Sequence, residues 1–323
     1  MGRENSVLAF GEESEGLVEE AERRRYLEIL RATPAKLKGA LKGVPKALLL
    51  WTPAPGKWSI LEIACHLRDM ERDAYLARYR RILAEDAPPL PDIDGDSYSL
   101  EDDYRSQKLG EVLREWTRQR RESLKVLAGV KREQWDRAGV HESAGRLTLA
   151  DFVRRHAVGN DEAHLGQIDA IKRRHAVLSR LEAVPARFAA SLRAFSADAL
   201  RRPPQPGKWS AIEIACHLRD VDRLYAERVS KAAFSERPLF WMMDNARVSE
   251  RLKYREADPA SVLKEHRRRR EDLVSLLRAL PQGAWQRTGL HPKRGELTIE
   301  QLAQVIAEHD DNHFRQIEAL SKS

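Results

Sequence analysis

The chain has 323 residues, 57 Lys plus Arg against 50 Asp plus Glu, 42% hydrophobic residues and two cysteines. Domains run to roughly 100–200 residues, so this length predicts two of them, and the apolar content excludes a chain without a core. No stretch reaches the ~18 apolar residues of a bilayer span, and two cysteines cannot build a disulfide scaffold, so a soluble protein of the reducing cytoplasm is expected.

In chain order, residues 1–19 read as an unstructured tail, with no basic segment leading into an apolar one. A first domain is expected over residues 20–174 and a second over 175–323. In PGKWSILEIACHLRD (Pro55 to Asp69), Ser59 followed by Glu62 is a capping-box signal that starts a helix, and Trp58 just before it can staple onto Ile63. The run APPLPDIDGDSYSLEDD (Ala87 to Asp103) reads as a solvated acidic loop. Asp92, Asp94 and Asp96 resemble a calcium loop only loosely, because the glycine and closing glutamate of that motif are misplaced. Arg118, Arg120 and Arg121, like Arg267 to Arg270 further on, stand beside Glu122 and Glu271. They read as solvated helix faces, and the net charge of +7 as mixed surface and not a nucleic-acid footprint. His141 is placed in a loop after Trp135 and Gly139, and Thr148 with Asp151 starts the last helix of the first domain.

The segment joining the domains, Ile171 to Ala176 (IKRRHA), has no Gly or Pro, which favours closely docked domains, packed as an intramolecular pseudo-dimer, over a flexible linker. Val177, Leu181, Val184, Phe188, Leu192 and Phe195 recur at three- and four-residue steps on one helix face. Leu263, Leu273, Leu276 and Leu280 suggest a second stripe. PGKWSAIEIACHLRD (Pro206 to Asp220) then repeats the earlier block with 13 of 15 positions identical at an offset of 151, and Ser210 with Glu213 repeats its cap. Trp285, Gly289 and His291 match the earlier Trp-Gly-His loop, and Thr298 with Gln301 the earlier helix start. HFRQIEAL (His313 to Leu320) matches HLGQIDAI (His164 to Ile171) at offset 149. The chain is one domain written twice. No strong alternating strand pattern occurs, so the expected fold is all-α, two tandem four-helix bundles.

Three histidines of the second copy suggest chemistry. His309 and His313 lie four apart on one helix face, and His217 on a neighbouring helix can supply a third nitrogen to one ion. Three imidazoles suit Zn, Ni or Fe alike and leave open positions for water or substrate. In the first copy His66 matches His217 and His164 matches His313, but Asn160 stands at the place of His309. Asp161 is a possible carboxylate for a two-His site there, and His156, roughly 12 Å along the axis from His164, is too far to join it. From Thr148 to His164 is 16 steps, against 15 from Thr298 to His313, so an extra residue can form a bulge that re-aims side chains. The first site is therefore read as degenerate. Glu62 and Glu213 are read as caps that can also orient the histidines, Cys65 and Cys216 as buried apolar residues, and Arg219 with Arg223 as candidates for an anionic substrate.

The PGKW-S-x-x-E-I-x-x-H-L-x-D block, the Trp and Gly-x-His loop and the closing H-x3-H-x2-QI together resemble the DinB/YfiT-like metalloenzyme superfamily, over nearly the whole chain from about residue 20. That resemblance implies DinB-like four-helix bundles with one divalent ion on three histidines, carried over onto His217, His309 and His313. Only His66 and His164 carry over in the first copy. It further implies a small-molecule substrate and, as in relatives that use bacillithiol, mycothiol or glutathione, a low-molecular-weight thiol for S-transfer or, otherwise, hydrolysis. Sulfoxide-synthase relatives have an acidic residue two after the last histidine; Arg315 stands there, so that activity is not expected. The competing readings are a non-catalytic metal- or ligand-binding module and, less favoured, a nucleic-acid binder.

Overall fold

The computed structural model describes residues 20–54, 56–93 and 103–322 in full, and the backbone alone of residues 5–19. The tail expected at residues 1–19 and the positions Asp94 and Asp96 lie outside the fully described residues. The chain divides into two compact units, Met1–Thr52 with Lys57–Lys172, and Pro53–Gly56 with Arg173–Ser323. No helix among the described residues is long and apolar enough to cross a membrane.

In the first unit α1 (Asn5–Leu41) is followed by α2 (Ile60–Asp69), which continues through a π-helical stretch, Met70–Leu76, into α3 (Ala77–Ala84). Then come α4 (Leu109–Ala128) and α5 (Leu149–Arg154), which continues through a second π-helical stretch, Arg155–Glu162, into α6 (Ala163–Leu192). The second unit takes its first helix from the later part of α6 and adds α7 (Ala211–Phe234), α8 (Pro259–Ala279) and α9 (Ile299–Leu320). Each unit is a four-helix bundle, as the two-copy pattern predicts.

The helix starts follow from side-chain chemistry. The Ser59 and Ser210 hydroxyls meet Glu62 and Glu213, whose carboxylates accept the Ser backbone N–H at 2.8 and 2.9 Å. Thr148 and Thr298 form the same reciprocal boxes with Asp151 and Gln301. Each box satisfies donors that a helix N-terminus leaves unpaired. The stripe of α6 is buried as its period requires, with Phe188 beside Ile212, Leu218, Phe314 and Ile317 in the second core. On α8 the buried line is Val262, His266, Arg270, Leu273, Val274 and Leu277, so Leu263 and Leu276 sit at its margin and two polar residues lie on it.

Within the run Arg267 to Arg270 the solvated-face reading holds for the exposed Arg267 and Arg268 and is corrected at Arg270. It is 1% exposed and its guanidinium donates to Asp222 (2.7 Å) and Asp310 (2.6 Å). Arg120 is equally buried and donates to Glu71 (2.7 Å) and Asp161 (2.7 Å). A guanidinium enters a core when carboxylates from two other helices neutralise it and accept its hydrogens; helical spacing alone does not reveal those partners.

The repeat offset shrinks along the chain, and the π-helical stretches account for it. Asp69 pairs with Asp220 at offset 151, whereas Arg78 and Arg228, which donate to the backbone oxygens of Pro91 and Trp241, pair at 150. The lost step falls in Met70–Leu76. The next, from 150 at Thr148 to 149 at His164, falls in Arg155–Glu162. Each stretch of the first unit takes up one inserted residue as a widened turn, while α7 and α9 are regular. The insertions bring His156 onto Tyr75, rings stacked at 3.8 Å, where it also meets Tyr79, Glu71 and Arg120.

Two short sheets add to the all-α expectation. β1 (Pro89–Leu90) runs parallel to β2 (Ala138–His141), which pairs antiparallel with β3 (Gly145–Thr148), and β4 (Thr288–His291) pairs antiparallel with β5 (Gly295–Thr298). Four residues are too few for a period-2 signal, so these hairpins read as loops. A Cβ on Gly289 would stand 2.2 Å from Phe240 Cζ, so the glycine makes room for the buried Phe240 ring against β4. Phe240 N–H donates to Leu290 O (2.9 Å) and fixes the Leu239–Met243 segment as one wall of the site described next.

Candidate metal centre

His217 projects from the second turn of α7, and His309 and His313 from one face of α9. Their Nε2 atoms converge: His217 to His309 at 3.1 Å, and His313 to His309 at 3.2 Å. His217 is buried and the other two are half-buried, and among the described residues this is the one group of three His, Cys, Asp or Glu ligands to converge. His313 Nδ1–H donates to Gln316 Oε1 (2.9 Å), which leaves its Nε2 with a lone pair. Trp209 packs on His217 with ring centroids 4.9 Å apart.

Burial, reinforced by the neighbouring ring of His313, pushes His217 down to about 3; burial with His313, His217, Arg270 and Arg294 pushes His309 down to about 2. His313 is also lowered, chiefly by burial. The rings are therefore neutral at ordinary pH. Two nitrogens each ~2.0–2.1 Å from one ion lie about 2.8–3.4 Å apart at angles of about 90–109°. The observed 3.1 and 3.2 Å fit that spacing. The Nδ1 atoms of His217 and His309 are buried without partners among the described residues, so the rings are not saturated by a hydrogen-bond network of their own. The donor set fits a divalent cation.

In the first unit His66 and His164 keep the same pairing, with centroids 4.8 Å apart against 4.9 Å for His217 and His313. His164 Nδ1–H likewise donates to Gln167 (3.0 Å), and Trp58 packs on His66. The third position is absent. Asn160 is buried with its amide turned to Asp161 (3.4 Å), and both Asp161 oxygens are taken by Arg120 at 2.7 and 3.0 Å. The reading of Asp161 as a carboxylate ligand is thereby corrected: the buried guanidinium needs it.

Glu62 and Glu213 act as caps and bond Arg105 and Arg255; they do not orient the histidines. Gln167 and Gln316 hold the last histidine of each copy instead, and the repeated His-x2-Gln spacing, one helical turn, was the signal for them. Cys65 and Cys216 are buried beside the backbone oxygens of Tyr104 and Tyr254, and burial pushes the Cys216 thiol up to about 12. Arg219 is held by Asp220 and Arg223 is exposed; neither lines the cleft beside the trio. That cleft, of about 510 Å³, is bounded by His217, Tyr225, Met242, Met243 and His309, with Arg228, His291, Lys293 and Arg294 beyond. His313 opens onto a second, more apolar groove of about 730 Å³ along Trp209, Ile214 and Leu320, and Asn245 lines both.

Comparison with known proteins agrees with the duplication. The family model of the DinB superfamily matches residues 29–168 and again 180–317. The uncharacterized protein YuaE of Bacillus subtilis (strain 168) is 26% identical over 145 residues, covering 41% of this chain and 88% of YuaE. Among solved structures, YfiT from Bacillus subtilis, described as a probable metal-dependent hydrolase with an unusual four-helix bundle topology, is similar at 21% identity over 48% of this chain and 87% of its own, with a TM-score of 0.45. With both of its halves matched, this chain belongs to the DinB superfamily.

Proposed function

We propose that this chain is a divalent-metal-dependent enzyme whose second copy carries the reaction, a hydrolysis or a thiol transfer on a small electrophilic molecule. The observation that carries the reading is the convergence of three neutral Nε2 atoms at the head of a cleft. A divalent cation held there by His217, His309 and His313 would supply a Lewis acid that lowers the pKa of a water or thiol in its open position. The chain's own residues do the rest. Gln316 fixes the tautomer and aim of His313, Trp209 shields His217 from water, and Tyr225, Met242 and Met243 give the substrate an apolar wall. Three imidazoles accept Zn, Ni or Fe, so the metal is to be established by measurement.

The test is a screen of metal-loaded, full-length protein for hydrolysis of activated esters and amides, and for consumption of low-molecular-weight thiols with a panel of electrophiles. Turnover that disappears in His309→Ala supports the reading; metal binding without turnover on any panel would leave a binding module in its place. A smaller effect is expected at Gln316. Replacing it with alanine frees the His313 ring and should weaken metal affinity about tenfold, measured by competition with a chromophoric chelator. Unchanged affinity would mean that His313 is aligned without it.

A further inference from the structure

We propose that the cleft beside His217 and His309 contains an anion subsite, in which Arg294, Lys293, Arg228 and His291 hold a carboxylate or phosphate group of the small molecule; this rests on the reading of the trio as the reaction centre. The cleft lining carries three cations, Arg228, Lys293 and Arg294, and no Asp or Glu. None of the three has an ion-pair partner among the described residues. Arg228 is 3% exposed, braced between the rings of Tyr225 (5.2 Å) and Phe240 (5.7 Å). Its Nη2 donates to Trp241 O, but its Nε is buried without a partner. A buried guanidinium with an unused N–H and no carboxylate leaves desolvation uncompensated, which an incoming anion would relieve. His291 Nδ1 accepts the Lys293 backbone N–H (3.2 Å), so its ring hydrogen sits on Nε2 as a further donor.

The first unit serves as an internal comparison. Its corresponding cleft keeps Tyr75, Arg78 and His141, but places Asp92 among them, against Arg78 and Arg155. Asp92 lies 3.1 Å from His141 Nδ1 and accepts from Ser143 (3.0 Å). The hairpin turn that reads Pro292-Lys293-Arg294 in the second copy reads Glu142-Ser143-Ala144 in the first. The copy without a third ligand thus fills its cleft with an acid of its own. The copy with the full trio leaves the cleft cationic. Surface charge alone does not explain why the excess of cations accompanies the trio.

Calorimetric titration of the full-length protein, metal-loaded and again after chelation, with succinate, inorganic phosphate and uncharged succinamide tests the proposal. One or both anions should bind and succinamide should not, with the stronger anion naming the group. Because Lys293 and Arg294 are exposed turn residues, the double variant K293A/R294A should fold, keep its metal content and bind the anion at least about thirtyfold more weakly. Equal binding of succinamide, unchanged affinity in the double variant, or no anion binding in either metal state overturns the subsite. Anion binding that persists in metal-free His309→Ala supports the subsite while the reading of the trio is judged separately by metal content.

Discussion

His309→Ala is expected to strip the full-length protein of its tightly bound divalent metal, lowering affinity by at least about a hundredfold, because His309 is the ring that links the other two. Its Nε2 lies 3.1 Å from that of His217 and 3.2 Å from that of His313. Removing it leaves two imidazoles on different helices and no third donor. In the first unit His164→Ala, at the counterpart of His313, should leave metal content as it was, since His66 and His164 have only Asn160, its amide turned to Asp161, where the third histidine stands in the second copy. Elemental analysis of tag-free protein after gel filtration reads both outcomes. Absence of tight metal in the natural protein, or equal loss in the two variants, would sink the metal reading.

A comparably large effect is expected in the first unit from Arg120→Met. Arg120, Glu71 and Asp161 are all essentially without solvent exposure, and Arg120 also donates to Leu30 O at 2.9 Å. Burial works to raise the Glu71 carboxyl, but His156 and Arg120 outweigh it and hold it well below the usual carboxylate range. Its stabilising contribution is therefore fully present above that range and is lost progressively as pH falls from it into strong acid. Removing the guanidinium strands the buried Asp161 carboxylate and leaves Glu71 to His156 and Ser123 alone, at a cost of about 3–5 kcal/mol. Hydrogen exchange, read peptide by peptide, should accelerate across α4 and both π-helical stretches. Adding Glu71→Gln and Asp161→Asn to Arg120→Met should recover most of the loss, because the triple variant no longer buries an unpaired charge. If Arg120→Met alone exchanges as the natural protein does, the network is not what holds these helices.

The duplication, the helix starts and the His309–His313 pair were legible in the sequence because each rests on short-range spacing, a 15-residue block seen twice, caps three residues apart and histidines four apart, whereas His217, 92 residues from His309, joins them only because its helix neighbours theirs in the bundle. Arg120 and Arg270 were not, since their burial depends on Glu71, Asp161, Asp222 and Asp310, which lie some 40–50 residues away along the chain. The bulge of the last helix could be counted from Thr148 to His164, but the one at Met70–Leu76 could not. It falls inside a helix whose later residues differ between the copies, so the sequence shows that a step is lost before Trp135 and the matched contacts of Arg78 and Arg228 show where. The cationic cleft escaped for a related reason. Arg228, Lys293 and Arg294 come from a helix and a hairpin turn, and the nearer Arg219, which seemed placed for a substrate, is held by Asp220.

The two π-helical stretches have a consequence for how such a domain changes length over time. An added residue in an α-helix turns everything beyond it by about 100° and would ordinarily move a buried face into water. In the first unit His164 and Gln167 still meet as His313 and Gln316 do, and Arg78 still reaches its backbone oxygen, although each lies downstream of an insertion. A helix that absorbs an insertion within one widened turn can accept the kind of length variation ordinarily left to surface loops, and the extra position becomes a place where a new side chain, here His156 or its neighbours, enters the interior without disturbing the rest.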